Sequence, residues 1–302
     1  MKKEIWNESN ILDQTDKVFI VTGPTSGLGK ETSIVLARKN ATVIMAARDL
    51  KKAESVKKEI LNENKNAKID IQELDLCSLE SINNFTETIN KKYKALDVLI
   101  NNAGIMACPH SKTKDGFEIQ MGTNHLGHFA LTGLLLPLIK KTENSRIVNI
   151  SSIAHKSGNI DFEDLNWEKR KYKPWGAYGD SKLANLYFTY ELSRKLKLNK
   201  GNPKVLAAHP GWTATELQRH SGGANFMNIF FGQKVKVGAL GGLRAATDSN
   251  AQSDDYYGSP SFGEMKGHPV LLKSNELSYN KENAKKLWQL SEELTGVSYA
   301  ID

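Results

Sequence analysis

Two rhythms of apolar and polar positions run through most of this chain. Short runs that are almost wholly apolar, such as "KVFIVT", "ATVIMAA", "LDVLIN", "RIVNIS" and "KVLAAH", suit strands covered on both faces. They place strands at 17–22, 41–47, 68–74, 96–101, 145–151 and 203–208. Between them the apolar positions recur at helical spacing, as Leu79, Ile82, Phe85 and Ile89 do in "SLESINNFTETINKKY". Helices are expected near 28–39, 50–63, 79–93, 116–140 and 177–198, with a last one near 280–295. Regular alternation of strand and helix predicts an α/β fold: a doubly wound parallel sheet, helices on both faces, in a single domain over 1–302. Residues 1–16 form an N-terminal extension, and 251–302 are expected to complete and cover the sheet edge. Two segments break the rhythm, 153–175 and 213–237. Both follow strand ends, where such sheets bind ligands, and both are expected to be insertions or a lid on the substrate side.

Composition narrows the class. Of 302 residues, 39 % are hydrophobic and 25 % charged, which suits a folded globular chain rather than a disordered one. The net charge of +7 comes from lysine and arginine spread along helices, as in Lys51-Lys52, Lys57-Lys58 and Lys91-Lys92. That spread reads as solvated helix faces, not as a nucleic-acid patch. Two cysteines, Cys77 and Cys108, have no metal or redox spacing and read as reduced thiols. The N-terminus lacks an apolar signal core, and the longest apolar run, "FALTGLLLPLI", is too short to span a bilayer. A cytoplasmic chain without a transmembrane segment is expected.

Between the first strand and the first helix stands "TGPTSGLG", residues 22–29. Gly23 lets the backbone turn sharply, Gly27 lets it approach a phosphate, and Gly29 lets the helix pack closely on the strand. The helix N-terminus offers unpaired N–H groups and a partial positive charge to a pyrophosphate. In chain order there follow "NNAG" at 101–104, Asn124 in "NHLGHF", "IVNISS" at 147–152, Tyr178 and Lys182 in "YGDSK", and "HPGW" at 209–212. The T-G-x-x-x-G-x-G spacing and this order resemble the short-chain dehydrogenase/reductase family, with a Rossmann-type sheet, over residues 17 to about 250. "SSIAH", "KLAN" and "HPGWTATEL" are similar to the branch containing retinol dehydrogenases and protochlorophyllide reductases.

The resemblance implies an NADP(H)-dependent oxidoreductase that interconverts a carbonyl and an alcohol on a small-to-medium apolar molecule. Tyr178 and Lys182 lie four residues apart and so share one side of a helix. A free phenol titrates near 10, and a neighbouring ammonium is expected to favour the phenolate and bring it towards useful proton transfer. Ser152, the second of its pair, corresponds to the family's substrate-binding serine, and Asn124 to the residue that orders a water behind the lysine. The dinucleotide site is expected at Gly23, Thr25, Ser26, Gly27, Leu28 and Gly29 for the phosphates and Asp75 and Leu76 for the adenine. Asn102, Ala103 and Gly104 should pass beneath the ribose, and Tyr178, Lys182, Pro210, Gly211 and Thr213 should lie by the nicotinamide. At the tip of the second strand, Arg48 suits the 2′-phosphate of NADP over NAD, while Asp49 reads as the N-cap of the next helix. Relatives often pair through the helices holding Asn124 and Tyr178, which points to a homodimer or tetramer.

Other residues take plainer readings. His125 and His128 sit three apart on a helix with no further ligands, so no metal is expected. His209 belongs to a strand-end turn. Trp167, Trp175, Trp212, Phe226, Met227, Phe230 and Phe231 cluster in the irregular segments and suggest an apolar cover for the substrate. Two rival functions keep the fold: a non-catalytic dinucleotide sensor or scaffold, and a reductase of carbon–carbon double bonds.

Overall fold

The first apolar run forms β1 (Val18–Thr22), and its side chains divide between two layers. Phe19 and Val21 enter one buried cluster and Ile20 enters the other, as strand alternation requires. The computed structural model describes residues 5–198, 203–213 and 233–301. Around β1 the sheet runs in the order β3-β2-β1-β4-β5-β6-β7-β8. The strands are β2 (Thr42–Ala47), β3 (Lys68–Glu73), β4 (Val98–Asn101), β5 (Arg146–Ile150), β6 (Lys204–Ala208), β7 (Tyr256–Gly258) and β8 (Val270–Leu272). All pairings are parallel except β7 with β8. The tail therefore does complete the sheet edge.

Helices α1 (Gly27–Arg38), α2 (Leu50–Glu63) and α7 (Val235–Thr247) bury Ile34, Val56 and Leu243 against one face. The other face receives α3 (Leu79–Lys92), α5 (Gly127–Ile139), α6 (Pro174–Leu198) and α8 (Lys281–Thr295), through Phe85, Phe129, Phe188 and Trp288. Within the N-terminal extension, Trp6 and Ile11 belong to the first cluster.

Three elements differ from the expectation. The helix expected over 116–140 starts with a short α4 (Ile119–Met121) and passes through a π turn, Gly122–Leu126, before α5. There the Gly127 N–H bonds the Gly122 carbonyl, one residue further back than in an α-helix. Helix α7 was not expected, and it begins inside the segment read as irregular. Its sequence, "VKVGALGGLRAAT", holds three glycines, which lower helix propensity. Packing overrides propensity here, because a side chain at Gly238 would collide with Thr213. Helix α6 opens three residues earlier than expected, on Pro174, a residue suited to a first helical position.

Of the residues expected to form an aromatic cover, the structure describes Trp167, Trp175 and Trp212. Trp167 is buried edge-on against Tyr172 with the Arg170 guanidinium 3.7 Å over its ring, so it belongs to the packed interior. Trp175 is 46 % exposed. Phe226, Met227, Phe230 and Phe231 lie outside the described residues. Among the described residues no helix is long and apolar enough to cross a membrane.

Candidate active site

The carboxyl ends of the parallel strands open into a cleft of about 630 Å³, where doubly wound sheets bind ligands. One end is made by the glycine turn. Gly23 (φ +65°) and Gly27 (φ +51°) adopt left-handed backbone that favours glycine. A methyl group on Gly29 would collide with the Gly23 carbonyl, so the close helix–strand approach requires glycine there. Ser26 is the N-cap of α1 but its side chain makes no capping bond, and the first turn holds no acidic residue. The first N–H groups of α1 thus face the cleft without an internal acceptor, which fits a phosphate.

Thr25, Ser26, Gly27, Leu28, Arg48, Asp75, Leu76, Asn102, Ala103, Gly104 and Pro210 all line this cleft with Gly23. Asp49 caps α2 as expected, its carboxylate accepting from the Lys52 N–H at 3.0 Å. The Asp75 carboxylate accepts from the Cys77 N–H and lies 3.7 Å from the Lys114 ammonium. Asn102 locks β4 to β1, its amide donating to the Thr22 carbonyl at 2.8 Å. Of the residues expected to hold the dinucleotide, three stand behind the wall rather than on it. Gly29 lies beneath the turn, Gly211 packs against the Met265 carbonyl, and the Thr213 hydroxyl donates to the Pro210 carbonyl at 2.8 Å.

At the other end of the cleft Tyr178 and Lys182 share one face of α6, the ammonium 5.7 Å from the centre of the phenol ring. Lys182 also donates to the Ile150 carbonyl at 3.1 Å. Asn124 sits in the π turn, fully buried. Its amide oxygen accepts from the Ile105 N–H at 2.8 Å, and its amide nitrogen donates to the Ile105 carbonyl and the Ser181 hydroxyl, both at 2.9 Å. A side chain at Gly104 would meet Asn124 Oδ1 at 3.1 Å and Lys182 Nζ at 3.4 Å, so this corner is closely packed. Of the serine pair, Ser151 donates to the Lys182 backbone carbonyl at 2.8 Å. Ser152 instead caps the short turn Ile153–Ser157, its hydroxyl accepting from the Ala154 N–H at 3.2 Å, and lies close enough to the Tyr178 phenol to oppose the rise in its pKa.

The electrostatics differ from the expectation. Burial pushes the Tyr178 phenol up to about 12, opposed by the Ser152 hydrogen bond. Burial pulls the Lys182 ammonium down to about 8. Loss of water penalises phenolate and ammonium alike, so at neutral pH the phenol stays protonated while the ammonium keeps its charge at a cost.

Several cleft residues were not anticipated. Lys52 lines it near Arg48, whereas the charge pattern of Lys51-Lys52 predicts a solvated face. Its position in the first turn after the Asp49 cap was the available signal. Cys77 and the loop Ile105, Met106, Cys108 and Pro109 also line it, and nothing in their spacing announced them. His125 and His128 are engaged elsewhere: His125 Nε2 with Ser291 at 2.9 Å, His128 with Thr22 and Asn124.

Comparison with known proteins agrees with this architecture. The short chain dehydrogenase family model matches residues 17–224. Human retinol dehydrogenase 13 is 49 % identical over 218 residues, which are 72 % of this chain and 65 % of that protein. Human retinol dehydrogenase 12 is 40 % identical over 94 % of this chain and 87 % of its own length. A crystal structure of an uncharacterised protein from Mycobacterium paratuberculosis matches with a TM-score of 0.83 and 39 % identity, covering 98 % of this chain and 99 % of that one. The chain belongs to the short-chain dehydrogenase family and is an oxidoreductase of the kind that binds a nicotinamide dinucleotide.

Proposed function

We propose that this oxidoreductase uses NADP(H) to interconvert a carbonyl and an alcohol on a small-to-medium apolar substrate. One observation carries the reading: a phenol and an ammonium on one helix face end the same cleft that the glycine turn begins. The bound dinucleotide supplies or takes up the hydride. In the reducing direction Tyr178 gives its proton to the carbonyl oxygen while Ser152 donates a hydrogen bond to that oxygen. The phenol suits this role, since its raised pKa keeps it protonated at neutral pH. As the proton leaves, the Lys182 ammonium favours the developing phenolate in a site poor in water. Asn124 holds the Ile105 backbone and the Ser181 hydroxyl against this corner.

Met106, Ala107 and Ala154 pack around Tyr178, an apolar lining that supports an apolar substrate. Relatives named retinol dehydrogenases are consistent with that class. Arg48 and Lys52 support preference for the 2′-phosphate of NADP.

The test is loss of NADPH absorbance with a panel of aldehydes, ketones and enones, with products identified. Alcohol products are expected. Saturation of an enone with its carbonyl intact would favour the double-bond reductase instead. Tight NADPH binding without turnover of any substrate would favour the sensor.

A further inference from the structure

His128 has no part in the chemistry above, yet its ring lies between the two halves of the site. It is buried in the first turn of α5. Nδ1 lies 3.0 Å from the carbonyl oxygen of Asn124, and Nε2 lies 2.9 Å from the hydroxyl of Thr22. A carbonyl only accepts, so the ring proton is on Nδ1 and Nε2 carries a lone pair. Of the two acceptors within reach of the Thr22 hydroxyl, Nε2 at 2.9 Å is nearer than the Ile100 carbonyl at 3.4 Å and takes its proton. The Thr22 oxygen is left to accept the N–H groups of Asn102 and Ala103, both at 2.9 Å. One assignment of hydrogens thus satisfies the ring, the threonine, the start of the β4 loop and Asn124. It requires a neutral imidazole, and burial together with the nearby Lys182 charge pulls His128 down to about 4.

The two arms end at different functions. Thr22 is the residue before Gly23, so its hydroxyl anchors the glycine turn to the loop Asn102–Ala103. Asn124 carries the bonds to Ile105 and Ser181 beside Lys182. We propose that His128 is a positioning residue whose one ring nitrogen holds the glycine turn for the dinucleotide and whose other holds Asn124 beside Lys182. The proposal rests on the dinucleotide-dependent reading above. Without the Thr22 arm, binding must order a turn that the ring now holds in advance. Without the Asn124 arm, the corner beneath Lys182 loses an anchor and turnover falls.

Three replacements separate the arms. His128→Phe fills the space and bonds neither partner. His128→Gln brings an amide to the Nε2 position and His128→Asn to the Nδ1 position. NADPH affinity is read by titrating its fluorescence, and kcat with an aldehyde that the wild-type protein reduces. His128→Phe is expected to weaken NADPH about tenfold and lower kcat about tenfold. His128→Gln should bind NADPH within about threefold of wild type while kcat stays low, and His128→Asn should show the reverse. NADPH binding by His128→Phe equal to wild type, or amide variants no better than it in either readout, would overturn the proposal. Should His128→Phe not fold, the crossed behaviour of the two amides decides. If the wild-type protein reduces no carbonyl, the catalytic reading fails. The ranking of His128→Gln over His128→Asn in NADPH affinity still tests the ring's hold on the turn.

Discussion

Tyr178 and Lys182 are both buried away from the water that supports their charged forms, so the phenol's pKa rises and the ammonium's falls. Between pH 8 and 10.5 the unfolded chain keeps a proton on Lys182 that the folded protein has lost, so stability rises with pH across that window. At pH 7 the full penalty applies, about 3 kcal/mol for the depression from 10.5 to about 8. Lys182→Met should therefore stabilise the fold at pH 7 by about 2 kcal/mol after loss of one hydrogen bond, as read by urea unfolding. The Ile150 carbonyl stays paired with Asn185. The same variant should have no measurable turnover, and a less stable Lys182→Met protein would contradict the argument. Tyr178→Phe should also abolish turnover but leave NADPH affinity within about twofold, since the phenol group adds little to cofactor binding. Retained turnover would remove Tyr178 from the mechanism. The Tyr178–Lys182 pair was legible in the sequence because four residues on a helix make a neighbour. The Thr22–His128 bond was not, because its partners stand 106 positions apart.

Each functional element depends on one close approach. For the turn it is Gly29 against the Gly23 carbonyl, so Gly29→Ala should cost about 2 kcal/mol of stability and weaken NADPH by tenfold or more. Wild-type affinity in that variant would show that the turn is not the phosphate seat. At the tip of β2, Arg48→Ala combined with Lys52→Ala should weaken NADPH about a hundredfold and NADH only a few-fold, judged by parallel titrations. Equal losses would reject the 2′-phosphate assignment. Strands and most helices were readable from periodicity alone. The π turn and α7 were not: the first is one extra residue in a continuous helical pattern, and the second is a glycine-rich helix formed by packing.

Over the whole molecule, the tail changes which surfaces are available. Helices α5 and α6, expected to pair between subunits, are covered by α8 and the residues after it. Trp288 and Tyr299 pack tilted and edge-on around Phe129 and Phe188, with ring centres 4.6 Å to 6.2 Å apart. Tyr299 donates to the Phe129 carbonyl at 2.6 Å, and a side chain at Gly133 would meet Tyr299 and Val297 at 2.7 Å. With that apolar face filled from within the chain, light scattering at micromolar concentration should report a monomer. A dimer would have to use another surface. What the sequence determined by itself was local: the strand and helix periods, the glycine turn, and the reactive pair on one helix face, all set by bonds and spacings within a few residues. Tertiary structure alone decided the depth of burial that pushes the phenol up and the ammonium down. It also decided the partner of His128, the presence of Lys52 in the cleft, and the closing of α5 and α6 beneath the tail. Desolvation and packing depend on segments far apart in the chain, and no short stretch of sequence records where they meet.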